Sequence, residues 1–588
     1  MADQRTQTSG LGFVGQSVPR IEDERLLVGE GTFVADIDPP GALHAAFVRS
    51  PFPHARITRI DVAAAEALPG VVKVFTGADI KAKTLPFPPF AMLPNLYTPP
   101  FWAMSDDKVR MVGDPVALVL AESRYLAEDG AELVEVDYEP LDPVATIERA
   151  LDPSSAQLWG KADGNLLYDT TDTFSTTNGA EATEDEVGAV FANADRVVTE
   201  RFACHRQSNQ PMETRGAVIE VDPTTGDLTV HNATQSGHFL RWILAGLTEP
   251  QGSFRSLFAL VRNSERRKAF LSGARAFLKE NGAALQESDN AGPLAQFRRD
   301  RGVFRRMVRM GTALLAKDRH ITVKAADVGG AFGSKGAIAR EDVALAVAAI
   351  ELGRSVKWIE DRVENLTDGG QAREEEMEVS IALDDDGTFR GLKVDLVIDQ
   401  GAYPGFPVGA TFTTRIMKLM WPGAYRWDAF QLRSRIVATN KGKYIAYRGP
   451  WANETWVRER IIDLAARELG MSPTEIRMKN MIGEVDMPTE MITGPTIDET
   501  MSTRKTLEKA VELMDPAGFE QERAAAAADG RLLGIGFASY HEAAPGPPNY
   551  ITSINPGTEW AGVERASASV EADGSIVVRT SQFPHGQS

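Results

Sequence analysis

The ten residues Asp327-Val-Gly-Gly-Ala-Phe-Gly-Ser-Lys-Gly336 constrain this chain more than any other stretch. Four are glycines, so the backbone can take turns closed to other residues and can lie directly against a ligand. The run before them, Ile321–Ala325, reads as a strand. The residues after them read as a helix over Glu341–Leu352, with Val343, Ala344, Val347, Ala348 and Ile350 at helical spacing and Gly353 as its stop. A glycine loop leading from a strand into a helix suits an anion, because the helix end adds positive potential to the loop N–H groups. It is not a P-loop, since Gly333-Ser334-Lys335 reverses the required order, and it is not a dinucleotide fingerprint. Spacing alone leaves a plain glycine turn and a ligand loop both open.

Two weaker signals stand beside it. Gln235, in Ala233-Thr-Gln-Ser-Gly-His238, offers an amide that can donate and accept. Arg448, in Ile445-Ala-Tyr-Arg-Gly-Pro450, offers a fork of donors just before a helix expected over Trp456–Leu469. After that helix comes Ser472-Pro-Thr-Glu475, which reads as a capping box. Taken singly, these residues are more often a polar turn and a solvated arginine.

Charge and cysteine content narrow the chemistry. The 588 residues carry a formal charge of -19, which sets aside nucleic acid and anionic lipid as partners of the whole chain. One cysteine, Cys204, can make neither an internal disulfide nor an iron–sulfur site, so redox work here needs a bound cofactor and another chain. The 8 histidines show no ligand spacing, and no protein-derived metal site is expected. Met1–Gly10 is polar, and no apolar run reaches the roughly 18 residues of a membrane span. The expectation is a cytoplasmic protein.

Strand runs alternate with short helical stretches from Gly41 to Asp152, and strands dominate from Val190 onward. Hairpins are expected at Asp222-Pro-Thr-Thr-Gly-Asp227, Asp384-Asp-Asp-Gly387 and Ala572-Asp-Gly574. The fold class expected is α+β: a small N-terminal α/β domain over 1–151, a polar surface connection over 152–187, and multi-sheet domains over 188–425 and 426–588. Within the third unit, 248–318 departs from the rest. Thr248–His320 holds 15 Lys/Arg against 7 Asp/Glu and reads as a helical basic insertion. A solvated insertion and a docking element for an acidic partner surface are both open.

In this order the motifs resemble the molybdenum hydroxylase family, which includes xanthine dehydrogenases, aldehyde oxidases and aerobic carbon monoxide dehydrogenase large subunits. The resemblance extends through Val14-Gly-Gln-Ser-Val-Pro-Arg20, Gly29-Glu-Gly-Thr-Phe33, Arg49-Ser-Pro-Phe-Pro-His-Ala55, Val112-Gly-Asp-Pro-Val-Ala117, Gln210-Pro-Met-Glu213, Arg477-Met-Lys-Asn480 and Gly534-Ile-Gly536. It covers nearly the whole chain except the basic insertion. It implies molybdopterin-binding domains and a molybdenum cofactor, as the cytosine dinucleotide in bacterial members. It also implies a hydroxylation that uses water-derived oxygen. Electrons would pass to 2Fe-2S clusters on a small subunit and FAD on a medium subunit.

By the same resemblance Gln235 lies near the metal, Phe332 and Gly333 beside it, Gly329 and Gly330 in the cofactor loop, and Arg448 in the active-site loop. Gly586 and Gln587, in Pro584-His-Gly-Gln587, match the start of a further cofactor motif. Gly449 stands where carbon monoxide dehydrogenases carry a copper-binding cysteine. Gly336 and Gln431 stand where purine oxidisers carry Glu and Arg. An aldehyde or a non-purine N-heterocycle is the implied substrate. The family's general-base Glu lies beyond a Gly-Gln-Gly motif that this sequence enters at its last residues, so the expectation is a C-terminally truncated subunit without that base. The competing expectation is a non-catalytic binding or assembly protein.

Overall fold

A computed structural model describes residues 16–20, 22–88, 93, 95–160, 162, 164–248, 320–447, 449, 451–541 and 566–580. The fold is mixed α/β with several sheets, as the alternation of strand and helix signals requires.

The largest sheet has seven strands in the order β11 (Ile321–Lys324), β10 (Leu228–Asn232), β9 (Gly216–Val221), β12 (Val356–Ile359), β1 (Leu43–Arg49), β5 (Pro115–Ala121) and β3 (Val71–Thr76). β5 reads Pro-Val-Ala-Leu-Val-Leu-Ala and is buried along its whole length. An unbroken apolar run of this length suits a strand covered on both faces. β1 pairs antiparallel with β5 and parallel with β12, placing Leu43 opposite Val356. One sheet therefore joins strands from the first 121 residues to strands beyond residue 215.

β9 and β10 form the expected hairpin. The Asp222 carboxylate accepts from Thr224 and Thr225 N–H, and Gly226 takes φ +73° to close the turn.

A second sheet has the order β7 (Leu166–Ser175), β15 (Ala429–Val437), β14 (Phe389–Asp399), β13 (Glu375–Leu383) and β8 (Arg196–Cys204). β13 and β14 flank the expected Asp384–Gly387 turn. The stretch 152–187, expected as a surface connection, contains β7, whose Leu167, Tyr168 and Phe174 are buried. β7 pairs along its length with β15, and that pairing carries its polar middle residues into a sheet. A three-stranded sheet has the order β4 (Lys108–Val109), β2 (Ala55–Asp61) and β6 (Glu135–Pro140), and a hairpin over Ala566–Val570 and Ile576–Thr580 matches the third expected turn.

The helix Arg340–Leu352 packs on β9, β12 and the helix Gly237–Leu247, and every residue from Arg340 to Ala349 is buried. Gly353 closes it at φ +59°. A second helix begins at Trp451 rather than Trp456 and runs to Leu469. The next one carries Pro473 in its first turn, and Ser472 accepts from Thr474 N–H instead of forming the box with Glu475. The basic insertion, apart from Thr248, lies outside the described residues, as do Arg448, Gly586 and Gln587. No helix among the described residues is long and apolar enough to cross a membrane.

Candidate functional site

The glycine loop leaves β11 at the sheet edge and ends in the buried helix Arg340–Leu352, so both its ends are fixed by the core. Between them the backbone is left-handed at Gly330 (φ +91°), Phe332 (φ +54°) and Gly333 (φ +104°). A Cβ on Gly333 would lie 2.3 Å from the Ala446 carbonyl oxygen, and one on Gly329 would lie 2.5 Å from Glu213 Cβ. At these two positions contact with neighbouring chain demands glycine. Phe332 is a non-glycine residue in a region that costs such residues about 1–3 kcal/mol, and its ring is 55% exposed. Strain of this kind persists where surrounding contacts over-determine it.

Those contacts come from three distant segments. The Gly333 N–H donates to Gln235 Oε1 at 3.1 Å, and the Gln235 N–H donates to the Lys335 carbonyl at 2.9 Å. Gln235 sits where β10 turns into the helix Gly237–Leu247, so the sheet and that helix aim its amide at the loop. Asn209 Nδ2 donates to the Phe332 carbonyl at 2.9 Å and to the Ala446 carbonyl at 3.0 Å. Glu213 Oε2 accepts from the Gly329 N–H at 2.8 Å and from Lys335 Nζ at 2.7 Å. Burial pushes the Lys335 amine below its ordinary value, and the Glu213 carboxylate opposes that shift.

The segment that leads to Arg448 reaches the same place. Ala446 touches Gly333, and Arg373 donates to the carbonyls of Tyr447 and, at 3.3 Å, Gly449. The structure thus brings together Gln235, Gly329, Gly330, Phe332 and Gly333 with the two neighbours of Arg448 in sequence. Asn209 and Arg373 are contributors that spacing could not find. Each lies more than 70 residues from one of the segments it binds, and each does its work through backbone carbonyls, which leave no side-chain signature.

Gln431, aligned with a substrate-reading arginine, is not at this site. It lies within β15, in register with Lys393 and Thr173, and lines a groove with Asp169 and Arg433 that contains no residue of the glycine loop. The strand pattern decides its place, and it carries no argument about purines.

Behind the loop lies a buried charge network. Arg215 meets Glu360, Glu341 and Asp368, and Arg49 of β1 meets Glu341 at 3.0 Å and Glu364 at 2.8 Å. Burial is the largest cause pushing Asp368 up to about 6 and Asp342 up to about 7, with Glu341 adding to both. Lys443, just ahead of the Ala446 segment, is buried and its amine is pushed down by burial.

Two buried acceptors beside the loop, Asn209 Oδ1 and Glu213 Oε1, have no hydrogen-bond partner among the described residues. A glycine-lined backbone with unused acceptors on both flanks fits a polar, flat ligand that presents N–H donors, as a pterin does. Among the described residues no cluster of three or more His, Cys, Asp or Glu could hold a metal ion.

Comparison with known proteins identifies relatives of the chain as a whole. The molybdopterin cofactor-binding domain matches residues 171–252 and 291–481, and the aldehyde oxidase and xanthine dehydrogenase a/b hammerhead domain matches residues 28–142. The chain is 31% identical to the 6-hydroxypseudooxynicotine dehydrogenase complex subunit gamma of Paenarthrobacter nicotinovorans, over 89% of this chain and 57% of that protein. It is 30% identical to the carbon monoxide dehydrogenase large chain of Hydrogenophaga pseudoflava, over 91% of this chain and 58% of that one. It superposes on quinoline 2-oxidoreductase from Pseudomonas putida 86 with a TM-score of 0.77 and 32% identity, over 97% of this chain and 63% of that one. The chain thus spans less than two thirds of the length of these relatives.

Proposed function

The chain belongs to the molybdenum hydroxylase family as a molybdopterin-binding large subunit, and from that premise we propose that its glycine loop holds a pterin-bound molybdenum centre, as the cytosine dinucleotide, for oxidation of a non-purine N-heterocycle or an aldehyde. The observation that carries this reading is the convergence on Gly333, where the N–H meets Gln235 Oε1 and any Cβ would strike the Ala446 carbonyl oxygen.

When bound, the group supplies a two-electron oxidation with water-derived oxygen. The protein's part is placement. Gly329 packs against Glu213 and Gly330 turns the chain, which sets the loop backbone in place for a ligand, and Gln235 presents an amide at the loop. Phe332 offers an exposed ring face beside Gly333. Arg448 stands in the segment that Ala446 brings to the loop, and Gly586 and Gln587 add cofactor contacts in this reading. Electrons leave to 2Fe-2S and FAD on small and medium partner subunits, in line with a single cysteine in 588 residues. An N-heterocycle is favoured because the named substrate of one structural relative, quinoline, is one. Gly449 in place of a copper-binding cysteine argues against carbon monoxide, and Gly336 in place of Glu argues against purines. The boundaries at 151 and 425 belong to the same proposal as divisions of sequence motifs rather than of independently folding units, while 152–187 contributes β7 to the second sheet.

The test is metal and pterin content. The chain, produced in its native host together with its genomic neighbours, is expected to carry close to one molybdenum per chain by mass spectrometry, with a pterin fluorophore released by acid oxidation. Folded protein free of both would support the binding or assembly role instead.

A further inference from the structure

Just ahead of β13 the chain departs from the alternation by which successive side chains of a strand point to opposite sides. Arg373, Glu374 and Glu375 all bond to one stretch of chain, 441–453. Arg373 donates to the Tyr447 and Gly449 carbonyls. Glu374 accepts from Lys441, and Glu375 accepts from Tyr444 Oη at 2.6 Å and Asn453 Nδ2 at 2.8 Å. Two consecutive left-handed residues, Arg373 (φ +69°) and Glu374 (φ +66°), make this possible. Neither is glycine, so each costs about 1–3 kcal/mol.

Arg373 is also 5% exposed, and among the described residues no carboxylate lies within ion-pair distance of it. A buried guanidinium whose hydrogen bonds go to backbone carbonyls, with the buried Glu375 carboxylate attracting it from beyond bonding distance, is a costly arrangement. Asn209, in the loop that follows β8, is the complement, because a single amide nitrogen spans the Phe332 and Ala446 carbonyls. Its second polar atom, Oδ1, is buried without a partner.

We propose that Asn209 and Arg373 are positioning residues: together they fix the separation between the Phe332–Gly333 backbone and the Ala446–Gly449 segment. Asn209 ties one segment to the other, and Arg373 keeps the second from moving away. The inference rests on the reading of this site as the cofactor and substrate site, and it gives that site its gauge. A shift of about 1 Å between catalytic segments can cost on the order of 100-fold in rate.

The test uses the holoenzyme with its partner chains and the variants N209D, N209S and R373K. N209D keeps the shape but turns a second acceptor toward two carbonyls, whereas N209S removes the reach and adds no charge. Hydrogen exchange is read first, because it does not depend on bound cofactor. In each Asn209 variant, peptides covering 328–336 and 443–449 are expected to exchange faster together, while those from the helix Arg340–Leu352 stay unchanged. In R373K, only 443–449 is expected to change. Kinetics are then normalised to molybdenum content. Turnover is expected to fall about 10- to 100-fold, with KM within about threefold of the parent.

Independent exchange of the two peptides in N209S, or a loss of activity that merely tracks lost molybdenum, would overturn the proposal. A parent protein without molybdenum would sink the reading of the site, and the exchange result would still decide the clamp.

Discussion

Gly333 shows how one residue can decide a site. Its φ of +104° and the 2.3 Å from a would-be Cβ to the Ala446 oxygen leave no room for a side chain. Gly333→Ala is expected to push the loop off the Ala446 segment and release the Gln235 bond. Pterin and molybdenum should be lost at least tenfold, with a stability loss of about 1–3 kcal/mol; metal content and thermal melting check both. Asp342 gives a pH effect. Its carboxyl, buried and beside Glu341, titrates at about 7 instead of 3.8. Between those values the folded chain keeps a proton that the unfolded chain releases. Stability from this group therefore falls as pH rises through the window and levels off above about 7. Asp342→Asn keeps the shape and removes the titration. The variant loses the Ala339 N–H bond at every pH, so it is expected to start below the parent near pH 5 and gain on it by a few degrees of Tm toward about pH 8. Parallel Tm-versus-pH curves would show that Asp342 is not the group responsible.

At the scale of elements, charge decides how pieces meet. Arg49 stands at the end of β1 and reaches Glu341, Glu364 and Asp368, which belong to two helices more than 290 residues away. Its side chain is 10% exposed, so little water competes for these bonds. Removing one member of such a network strands the others. Arg49→Met is expected to cost about 3–5 kcal/mol, with the double variant Arg49→Met/Glu364→Gln recovering part of it, as read from urea unfolding. The helix Arg340–Leu352 was legible in sequence from its apolar spacing and its glycine stop. That its polar first turn, Arg340-Glu341-Asp342, is buried was not legible, because helical spacing cannot show what packs around a helix end. β7 was missed for a related reason: its middle reads Asp-Thr-Thr-Asp, and only pairing with β15 makes that a strand.

At the scale of the molecule, the seven-stranded sheet removes the independence that the first 151 residues suggest. β1 lies between β12 and β5, and a single apolar core includes Leu43, Phe75 and Leu118 together with Ile219, Val347 and Trp358. A fragment starting at residue 152 would expose the β12 edge and strand the partners of Arg49, so it is expected to aggregate. A monodisperse fragment with a cooperative melt would show that the sheet is divisible. The intact chain is expected to lose exchange protection in β5 and β9 in one step on heating.

Sequence by itself determined the local signals, because they depend only on nearest neighbours in the chain: the glycine loop between strand and helix, the hairpin turns, the helix stop at Gly353, and the order of motifs that marks the family. Tertiary structure alone decided which of these meet. Gln235, Gly333 and Ala446 come together through sheet register and through Asn209, while Gln431 is carried off to another face by the alternation of β15. Hydrogen bonds to backbone carbonyls and carboxylates shared between buried arginines depend on residues far apart in the chain, and such dependence has no period that a sequence can display.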